Sequence, residues 1–428
     1  MKAQIISIGN EILIGDTINT NASWMGNFLT EIGFEVTKVT TISDDITLIK
    51  KTISEAMADS DIVFSTGGLG PTHDDMTKKA VSDLFESELV VNEEVLNFVK
   101  SRFEKWNIPF SKSNYEQALV PENAEVLFNN MGSAPGMWLS NKGKYLVIMP
   151  GVPTEMKFLM AKRVAPKLAE IFGDIGFLHS TYIKTIGIGE STLSDEVLGD
   201  LSSYLNEEVT LAFLPMAGGV TLRLNSKGNN AEAALKKVRP LYDAIYQKAN
   251  EFIYGEGKNI LLEEVVGSLL SQKKLTVATA ESCTGGLIAD TLTNVAGSSA
   301  YVIGGIVSYS NQMKIEQLGV SKEVLDTQGA VSKEVALQMA KNVAELLKAD
   351  IGISATGIAG PGGGSEEKPV GTVWTGFYSK EEHFAIKTTF SQDRILNKRR
   401  TMIISLDIIR RVLLGIREMP YGLKKQCY

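Results

Sequence analysis

The chain has 428 residues, enough for two to three domains, and its 44% apolar and 22% charged residues are typical of a globular protein. A formal net charge of −7 argues against a protein whose main task is nucleic-acid binding, which usually requires a basic surface. Only two cysteines are present, Cys283 and Cys427, which excludes a disulfide framework and favours a reducing compartment. Neither a secretory leader pattern nor an apolar run of about 20 residues is found, so we expect a cytoplasmic protein.

The first 170 residues predict strands and helices in alternation. Apolar β-rich runs at Gln4–Gly9, Phe34–Ile42 and Asp61–Thr66 are separated by helical patterns at Asn21–Glu31 and Ile46–Ala58. This order predicts a parallel, doubly wound α/β sheet.

A glycine-rich loop, Gly67 to Thr77, follows the third predicted strand. Ligands of open α/β sheets bind at the carboxyl ends of the strands, and glycines there let backbone N–H groups approach an anion. The loop is therefore a candidate anion-binding site.

Two adjacent carboxylates in this loop, Asp74 and Asp75, suggest a divalent metal that bridges carboxylate and phosphate. Glu155 follows another strand and a Gly/Pro loop, so it could face the same cleft. The alternative is that one aspartate caps the next helix while the other faces water. His73 could be a metal ligand or, more simply, a solvated loop residue.

Four segments of this region carry a family resemblance: GNEILIG, TGGLGPTHDD, NMGSAPG and MPGVPTEM. In this order and spacing they resemble the N-terminal domain of the CinA (competence/damage-inducible protein A) family, which is similar in fold to molybdopterin-binding domains. The resemblance implies a nucleotide-like ligand, and in some members hydrolysis of ADP-ribose with a divalent metal of unknown identity. The predicted ligand-binding residues are Gly67, Gly68, Gly70 and Thr72, and the predicted metal ligands are Asp74, Asp75 and Glu155.

The middle of the chain, from about Gly176 to Ile253, predicts a small β-α-β-β-α domain. The family resemblance extends here as a KH-like connecting domain. Lys184 and Arg223 on its strands could contact nucleic acid, but the acidic chain favours a structural or linking role.

The C-terminal part again predicts a layered α/β domain, with a hairpin and a long closing helix, Arg394–Leu414. Ser282 follows a β-rich run and precedes a predicted helix, Leu287–Val295. It could therefore lie beside unpaired backbone N–H groups, as a nucleophile requires, or simply cap that helix.

A serine nucleophile needs a base, and a lysine desolvated in a cleft can act as one. Lys314 follows a strand, Tyr309 next to it could relay or hold the proton, and Thr356 opens a second glycine-rich loop that could receive a phosphate. These residues could equally be a solvated lysine, a strand aromatic and a cap. Cys283 is a second candidate nucleophile, with His383 as its only possible histidine partner in this region.

The segments AESCTGG, VSYSNQMK, SATGIAGPGGG and KPVGTV resemble the C-terminal CinA domain, the nicotinamide-nucleotide amidohydrolase family. That resemblance implies hydrolysis of nicotinamide mononucleotide (NMN) to nicotinic acid mononucleotide and ammonia, without a metal. It makes Ser282 the nucleophile, activated by Lys314 and Tyr309. The predicted substrate-binding residues are Thr356, Gly357, Gly285, Gly286 and one arginine of the closing helix; among Arg394, Arg399 and Arg400 we select Arg399.

The sequence thus predicts three domains, over residues 1–172, 173–254 and 255–416. The resemblance implies a homodimer that acts on the small nucleotides NMN and ADP-ribose, without membrane or nucleic-acid partners. Two alternatives remain open: an N-terminal domain that only binds a nucleotide or pterin, and a non-enzymatic protein related to competence.

Overall fold

The computed structural model describes residues 1–70, 75–173 and 177–427. The chain divides into two compact units, one formed by Met1–His179 with Lys227–Lys236 and the other by Ser180–Ser226 with Lys237–Tyr428. Within the described residues, none of the helices has the length and apolar character that crossing a bilayer requires.

The N-terminal region alternates strands and helices as predicted. Its elements are β1 (Lys2–Ile8), α1 (Asn10–Leu13), α2 (Thr20–Glu31), β2 (Glu35–Ile42), α3 (Ile46–Asp59), β3 (Ile62–Thr66), α4 (Thr77–Leu84), β4 (Leu89–Val91), α5 (Glu93–Trp106), α6 (Lys112–Tyr115), β5 (Leu119–Pro121), β6 (Glu125–Leu127), β7 (Gly136–Asn141), β8 (Lys144–Met149), α7 (Pro153–Leu159) and α8 (Ala165–Phe172).

These strands form a six-stranded sheet in the order β2-β1-β3-β8-β7-β6. The first four are parallel, and β7 and β6 continue the sheet antiparallel. Successive residues of β1 face opposite sides, so Ile5 packs into one apolar cluster and Ile6 into another. Helices therefore cover both faces, which confirms the doubly wound α/β prediction.

The middle region is a small α+β domain. Its elements are β9 (Phe177–Thr185), β10 (Val209–Met216), β11 (Gly219–Gly228), α9 (Ala231–Ala249) and β12 (Ile253–Glu256), in a sheet of order β10-β11-β9-β12. A π-helical segment, Thr192–Leu198, takes the place of the predicted helix between the first two strands. The polar run that predicts a turn at 225–230 instead continues β11, because Ser226 is buried and pairs with Val209.

The C-terminal region is a second layered α/β structure. Its elements are α10 (Leu262–Lys273), β13 (Val277–Glu281), α11 (Leu287–Thr293), β14 (Val302–Val307), α12 (Asn311–Leu318), α13 (Lys322–Gln328), α14 (Lys333–Leu347), β15 (Ile351–Gly357), β16 (Thr372–Tyr378), β17 (His383–Thr389), α15 (Arg394–Leu414) and β18 (Gln426–Cys427). The sheet order is β14-β13-β15-β16-β17-β18, with the first three strands parallel and the rest antiparallel.

A buried ion cluster of Asp407, Arg410 and Arg411 connects the middle region to the closing helix α15. Asp407 accepts hydrogen bonds from Arg410 and Arg411 at 2.7 and 2.8 Å, and all three side chains are essentially inaccessible to solvent. Both arginines also donate to middle-region carbonyls, Arg410 to Glu251 at 2.9 Å and Arg411 to Ile186 at 3.4 Å. Charges buried this fully are tolerable only because each is paired and hydrogen-bonded.

Candidate functional site

Ser282 lies at the carboxyl edge of the C-terminal sheet, directly after the central strand β13. Its backbone N–H donates to the Ala355 carbonyl of β15 at 2.9 Å, and the Glu281 carbonyl accepts from Ser308 N–H after β14 at 2.8 Å. Ser282 is therefore held between two neighbouring strand ends, with only 8% of its surface exposed.

Lys314 reaches the hydroxyl of Ser282 from the first turn of α12. Its Nζ lies 3.0 Å from Ser282 Oγ, 2.7 Å from the Ser308 carbonyl oxygen and 3.5 Å from the Tyr309 carbonyl oxygen. The lysine is fully buried, and this burial lowers its pKa to about 8, although the negative charge of an ionised Cys283 would act to raise it. The solvated-lysine alternative is therefore wrong.

The helix that follows Ser282 is capped by a residue that the sequence analysis overlooked. The buried Glu281 carboxylate accepts hydrogen bonds from the N–H groups of Gly286 and Ile288 at 3.0 Å and of Ala289 at 2.8 Å. Glu281, not Ser282, is thus the side chain that caps α11. An acid just before a Ser-Cys-Thr-Gly-Gly helix start is the sequence signal that could have identified this role.

A cavity of about 210 Å³ opens beside Ser282 and Lys314. Thr356 and Gly357, at the end of β15, line it, together with Arg394 from the start of α15. The Thr356 hydroxyl donates to the Ala330 carbonyl at 2.7 Å, so this side chain is fixed in the cavity wall. The structure therefore brings together residues from five separate segments of the chain.

Tyr309 lines the same cavity, but its hydroxyl does not contact Lys314 or Ser282. The side chain is 62% exposed, and its hydroxyl accepts a hydrogen bond from Arg394 Nη2 at 2.8 Å. Only the backbone carbonyl of Tyr309 approaches Lys314. The expectation that its hydroxyl relays the proton is not met in this structure, because the ring turns outward from the edge of the sheet toward the arginine.

Cys283 is a buried neighbour of Ser282 rather than a thiolate. Burial raises the pKa of its thiol to about 12, so it is protonated near neutral pH. Its proposed partner His383 lies in β17, where a ring nitrogen is 3.0 Å from the Leu337 carbonyl, and it does not line the cavity. The structure does not assemble the alternative Cys–His pair.

Three residues predicted to bind substrate lie outside the cavity wall. Gly285 donates its N–H to the Ser282 carbonyl at 3.1 Å and Gly286 donates to Glu281, so both shape the turn into α11. Arg399 is exposed and does not line the cavity, whereas Arg394 does. Nη1 of Arg394 donates a hydrogen bond to the Gly360 carbonyl at 2.9 Å, and this bond connects α15 to the second glycine-rich loop.

The N-terminal unit has a separate cavity of about 490 Å³ at the carboxyl ends of its parallel strands. Gly67, Gly68, Gly70, Asp75 and Glu155 all line it, as the sequence predicted. A glycine is required at Gly67, with φ of 107°, because a Cβ there would lie 2.0 Å from the Ile8 carbonyl oxygen.

The described carboxylates around this cavity do not form a metal site by themselves. Asp44, which was not predicted from the sequence, lines the cavity and lies close to Gly68. The Glu155 carboxylate accepts a hydrogen bond from Asn129, and burial raises the pKa of Glu155. Within residues 1–70, 75–173 and 177–427, no three acidic, histidine or cysteine residues group as metal ligands. The predicted residues Thr72, His73 and Asp74 lie outside the described residues.

A second buried lysine, Lys78, lies just beyond this loop in the first turn of α4. Its ammonium donates to the carbonyls of Glu116 and Gln117 at 3.2 and 3.1 Å. Burial lowers its pKa to about 8, against the opposing effects of the charges of Asp75 and Glu116.

Three family models match the chain in succession. They are described as "Probable molybdopterin binding domain" over residues 4–170, "Damage-inducible protein CinA KH domain" over 180–255 and "CinA C-terminal domain" over 259–413. The matches support the predicted fold classes of the N-terminal, KH-like middle and C-terminal regions.

Relatives of similar length match almost the whole chain. A CinA-like protein from Chloroherpeton thalassium is 44% identical, covering 96% of this chain and 99% of the relative, and one from Dictyoglomus thermophilum is 40% identical, covering 97% and 100%. The solved structure of competence/damage inducible protein CihA from Agrobacterium tumefaciens is 41% identical, covering 36% of this chain and 93% of that chain, with a TM-score of 0.35. On the strength of the full-length matches, this chain belongs to the CinA family.

Proposed function

We propose that the C-terminal region hydrolyses the carboxamide of NMN, giving nicotinic acid mononucleotide and ammonia. The observation that carries this proposal is the 3.0 Å contact between Lys314 Nζ and Ser282 Oγ at the wall of a cavity. A serine with an adjacent desolvated lysine is suited to amide cleavage, because the lysine can accept the hydroxyl proton. The segments that resemble nicotinamide-nucleotide amidohydrolases contain these two residues.

The hydrogen bonds of Lys314 suit a neutral amine. A neutral lysine has two N–H groups and one lone pair, and the carbonyls of Ser308 and Tyr309 provide two acceptors. The lone pair is then left for the third neighbour, the hydroxyl of Ser282. With a pKa of about 8, about a tenth of the lysine is neutral at pH 7.

In the proposed acylation step, Ser282 Oγ attacks the carboxamide carbon of NMN and Lys314 takes the hydroxyl proton. The resulting tetrahedral oxyanion needs hydrogen-bond donors. The N–H groups of Cys283 and Thr284 are candidates: no backbone carbonyl in the described part of the chain accepts them, and their neighbour is the weakly accepting Cys283 sulfur. Lys314 then protonates the departing nitrogen, the carbon–nitrogen bond breaks and ammonia leaves an ester on Ser282.

Water completes the reaction by the reverse sequence. Lys314, again neutral, takes a proton from water as the water oxygen attacks the ester carbon. The bond to Ser282 Oγ breaks, the serine oxygen recovers a proton from Lys314, and nicotinic acid mononucleotide is released. The same pair therefore serves both half-reactions, and no step requires a metal.

The experiment that tests this proposal measures ammonia release from NMN by the full-length protein, Ser282→Ala and Cys283→Ala. We expect Ser282→Ala to abolish release, whereas Cys283→Ala retains at least a tenth of it because the buried thiol is not ionised. Activity that persists in Ser282→Ala but disappears in Cys283→Ala would identify the cysteine as the nucleophile. No release by the unaltered protein would refute the proposed activity.

For the N-terminal unit we propose a nucleotide-binding site that hydrolyses ADP-ribose. Its cavity of about 490 Å³ has buried acceptors without partners: Asn21 Oδ1 and Gln117 Oε1 line it and find no hydrogen-bond donor among the described residues. Such atoms fit ligand hydroxyl or amine groups, because leaving them unsatisfied is costly. The prediction of a divalent metal at Asp75, Glu155 and Asp74 remains a proposal.

Metal-dependent release of AMP from ADP-ribose separates this activity from a binding module. We expect Asp75→Asn to lose AMP release while an ADP-ribose titration still shows binding. Binding without AMP release by the unaltered protein would favour the alternative, a non-catalytic nucleotide or pterin site. Salt-sensitive DNA binding with neither activity would instead favour the competence-related alternative, which the net charge of −7 disfavours.

A further inference from the structure

A cavity between the middle and C-terminal regions has no part in either proposed activity. It has a volume of about 760 Å³ and shares no lining residue with the Ser282 cavity. Pockets that bind small organic molecules typically have volumes of about 300–1,000 Å³. Its walls come from the β10–β11 turn on one side and from β17, α15 and the segment after α15 on the other.

The walls of this cavity are held together by direct contacts. Tyr421 N–H donates to the Gly187 carbonyl at 2.6 Å, and Gly187 N–H donates to the Gly218 carbonyl at 2.9 Å. At Gly218, with φ of 90°, a Cβ would lie 2.5 Å from the Ile403 side chain, so the turn approaches α15 as closely as a glycine permits. The cavity is therefore a fixed feature of the fold rather than a gap between loosely joined parts.

The walls of this cavity are mainly apolar and carry a few charged side chains. Pro215, Met216, Phe390 and Ile403 are among the apolar lining residues. The titratable lining residues are Lys387, Arg400, Glu190 and Tyr421, which give a formal charge of +1 near neutral pH.

Among these charged groups, Arg400 indicates most directly which kind of ligand the cavity binds. It is half-buried and makes no ion pair or hydrogen bond with another residue in the described part of the chain. The guanidinium interacts electrostatically with the Tyr421 phenol but has no carboxylate partner among the described residues, so it favours a ligand with a planar anionic group.

We infer that this cavity is a second small-molecule site, which binds an amphipathic anion: a ring-bearing apolar body with one carboxylate, sulfonate or phosphate. The body contacts Phe390 and Ile403, and the anionic group pairs with Arg400. This site is independent of the proposed amidase, since neither Ser282 nor Lys314 contributes to it.

The test uses 8-anilinonaphthalene-1-sulfonate, a fluorescent probe of this class, with the full-length protein. We expect about one probe bound per chain, and binding about tenfold weaker or more in Arg400→Gln, because a charge-assisted hydrogen bond is lost. Ala217→Trp, at an exposed position of the cavity-lining turn, should block binding by filling the space. Arg417→Gln is the matched control: the same charge change at an exposed residue that does not line the cavity.

Competition with the bound probe identifies the class of anionic group that the cavity binds. Displacement of the probe by 2-naphthoate indicates a carboxylate ligand, displacement by adenosine 5′-monophosphate indicates a phosphate ligand, and either result supports the site. Equal probe affinity in the unaltered protein, Arg400→Gln and Ala217→Trp would overturn the proposal, as would failure of both competitors at millimolar concentration. Binding retained in Ser282→Ala shows that the probe does not report the amidase cavity.

Discussion

Two buried lysines in this chain share a pKa of about 8 and differ in what they face. Lys78 lies in the first turn of α4 in the N-terminal unit, and Lys314 lies in the first turn of α12 in the C-terminal region. In both, burial is the main cause of the lowered pKa. The two sheets around them also share an arrangement of parallel strands continued by antiparallel ones.

The neighbours of each lysine decide its role. Lys78 donates to two backbone carbonyls, which connects α4 to residues 116–117, and no nucleophilic side chain in the described part of the chain contacts its Nζ. Lys314 also contacts two carbonyls, but its third neighbour is the hydroxyl of Ser282. A lowered pKa therefore makes a lysine available as a base, and only a reactive partner makes it useful as one.

The sharpest test of this comparison replaces each lysine with methionine. We expect Lys314→Met to lower ammonia release from NMN by about 10²–10⁴-fold, the usual contribution of a general base. Lys78→Met should change it less than about twofold, since that residue has no contact with the C-terminal cavity. Circular dichroism checks that both variants fold, and equal losses in both would contradict the distinction drawn between them.

The two units can also be compared through carboxylates that cap helices. Asp45 accepts from Leu48 N–H at the exposed start of α3, whereas Glu281 accepts from three N–H groups while fully buried. We expect Asp45→Ala to lower the free energy of unfolding by about 1 kcal/mol and Glu281→Ala by about 2–3 kcal/mol, because buried donors are left unsatisfied. Urea unfolding measures the free energy of unfolding of each variant. Equal losses in the two variants would show that water forms hydrogen bonds to the N–H groups that Glu281 leaves.

The pH dependence of the amidase follows from the lowered pKa of Lys314. In the proposed mechanism the neutral amine is the active form, so kcat/KM for NMN should rise about tenfold per pH unit below 8 and level off above it. Rates between pH 6 and 10 give this profile, with folding checked at each end. A rate that is constant down to pH 6 would exclude Lys314 as the base.

The smallest expected effect is a change in KM that shows whether Arg394 or Arg399 binds the substrate phosphate. Arg394 lines the Ser282 cavity and Arg399 does not, so Arg394→Gln should raise KM for NMN about tenfold if it binds the phosphate, and Arg399→Gln should not. The nucleoside without phosphate is the matched substrate control, because its KM should respond to neither change. A larger effect of Arg399→Gln would restore the arginine selected from the sequence and would indicate that it reaches a cavity of another copy.

Much of the fold was predictable because it rests on local periodicity and on chain order. Alternating strands and helices in the first 170 residues predict the parallel sheet, and β3 is confirmed within one residue. The errors lie where tertiary pairing overrides local preference. Ser226 is polar enough to predict a turn, yet it pairs with Val209 and is buried, so β11 continues through it.

The sequence by itself predicted the candidate residues for the proposed chemistry: Ser282 directly after β13, Lys314 in the helix that follows β14, and the glycines after β3. It could not decide what each side chain faces, because those neighbours come from distant segments of the chain. Glu281 caps α11, Arg394 binds the Tyr309 hydroxyl and His383 turns to Leu337, and each of these contacts depends on how the strands and helices pack. Burial, which lowers the pKa of Lys314 and raises that of Cys283, is likewise a property of the folded chain alone.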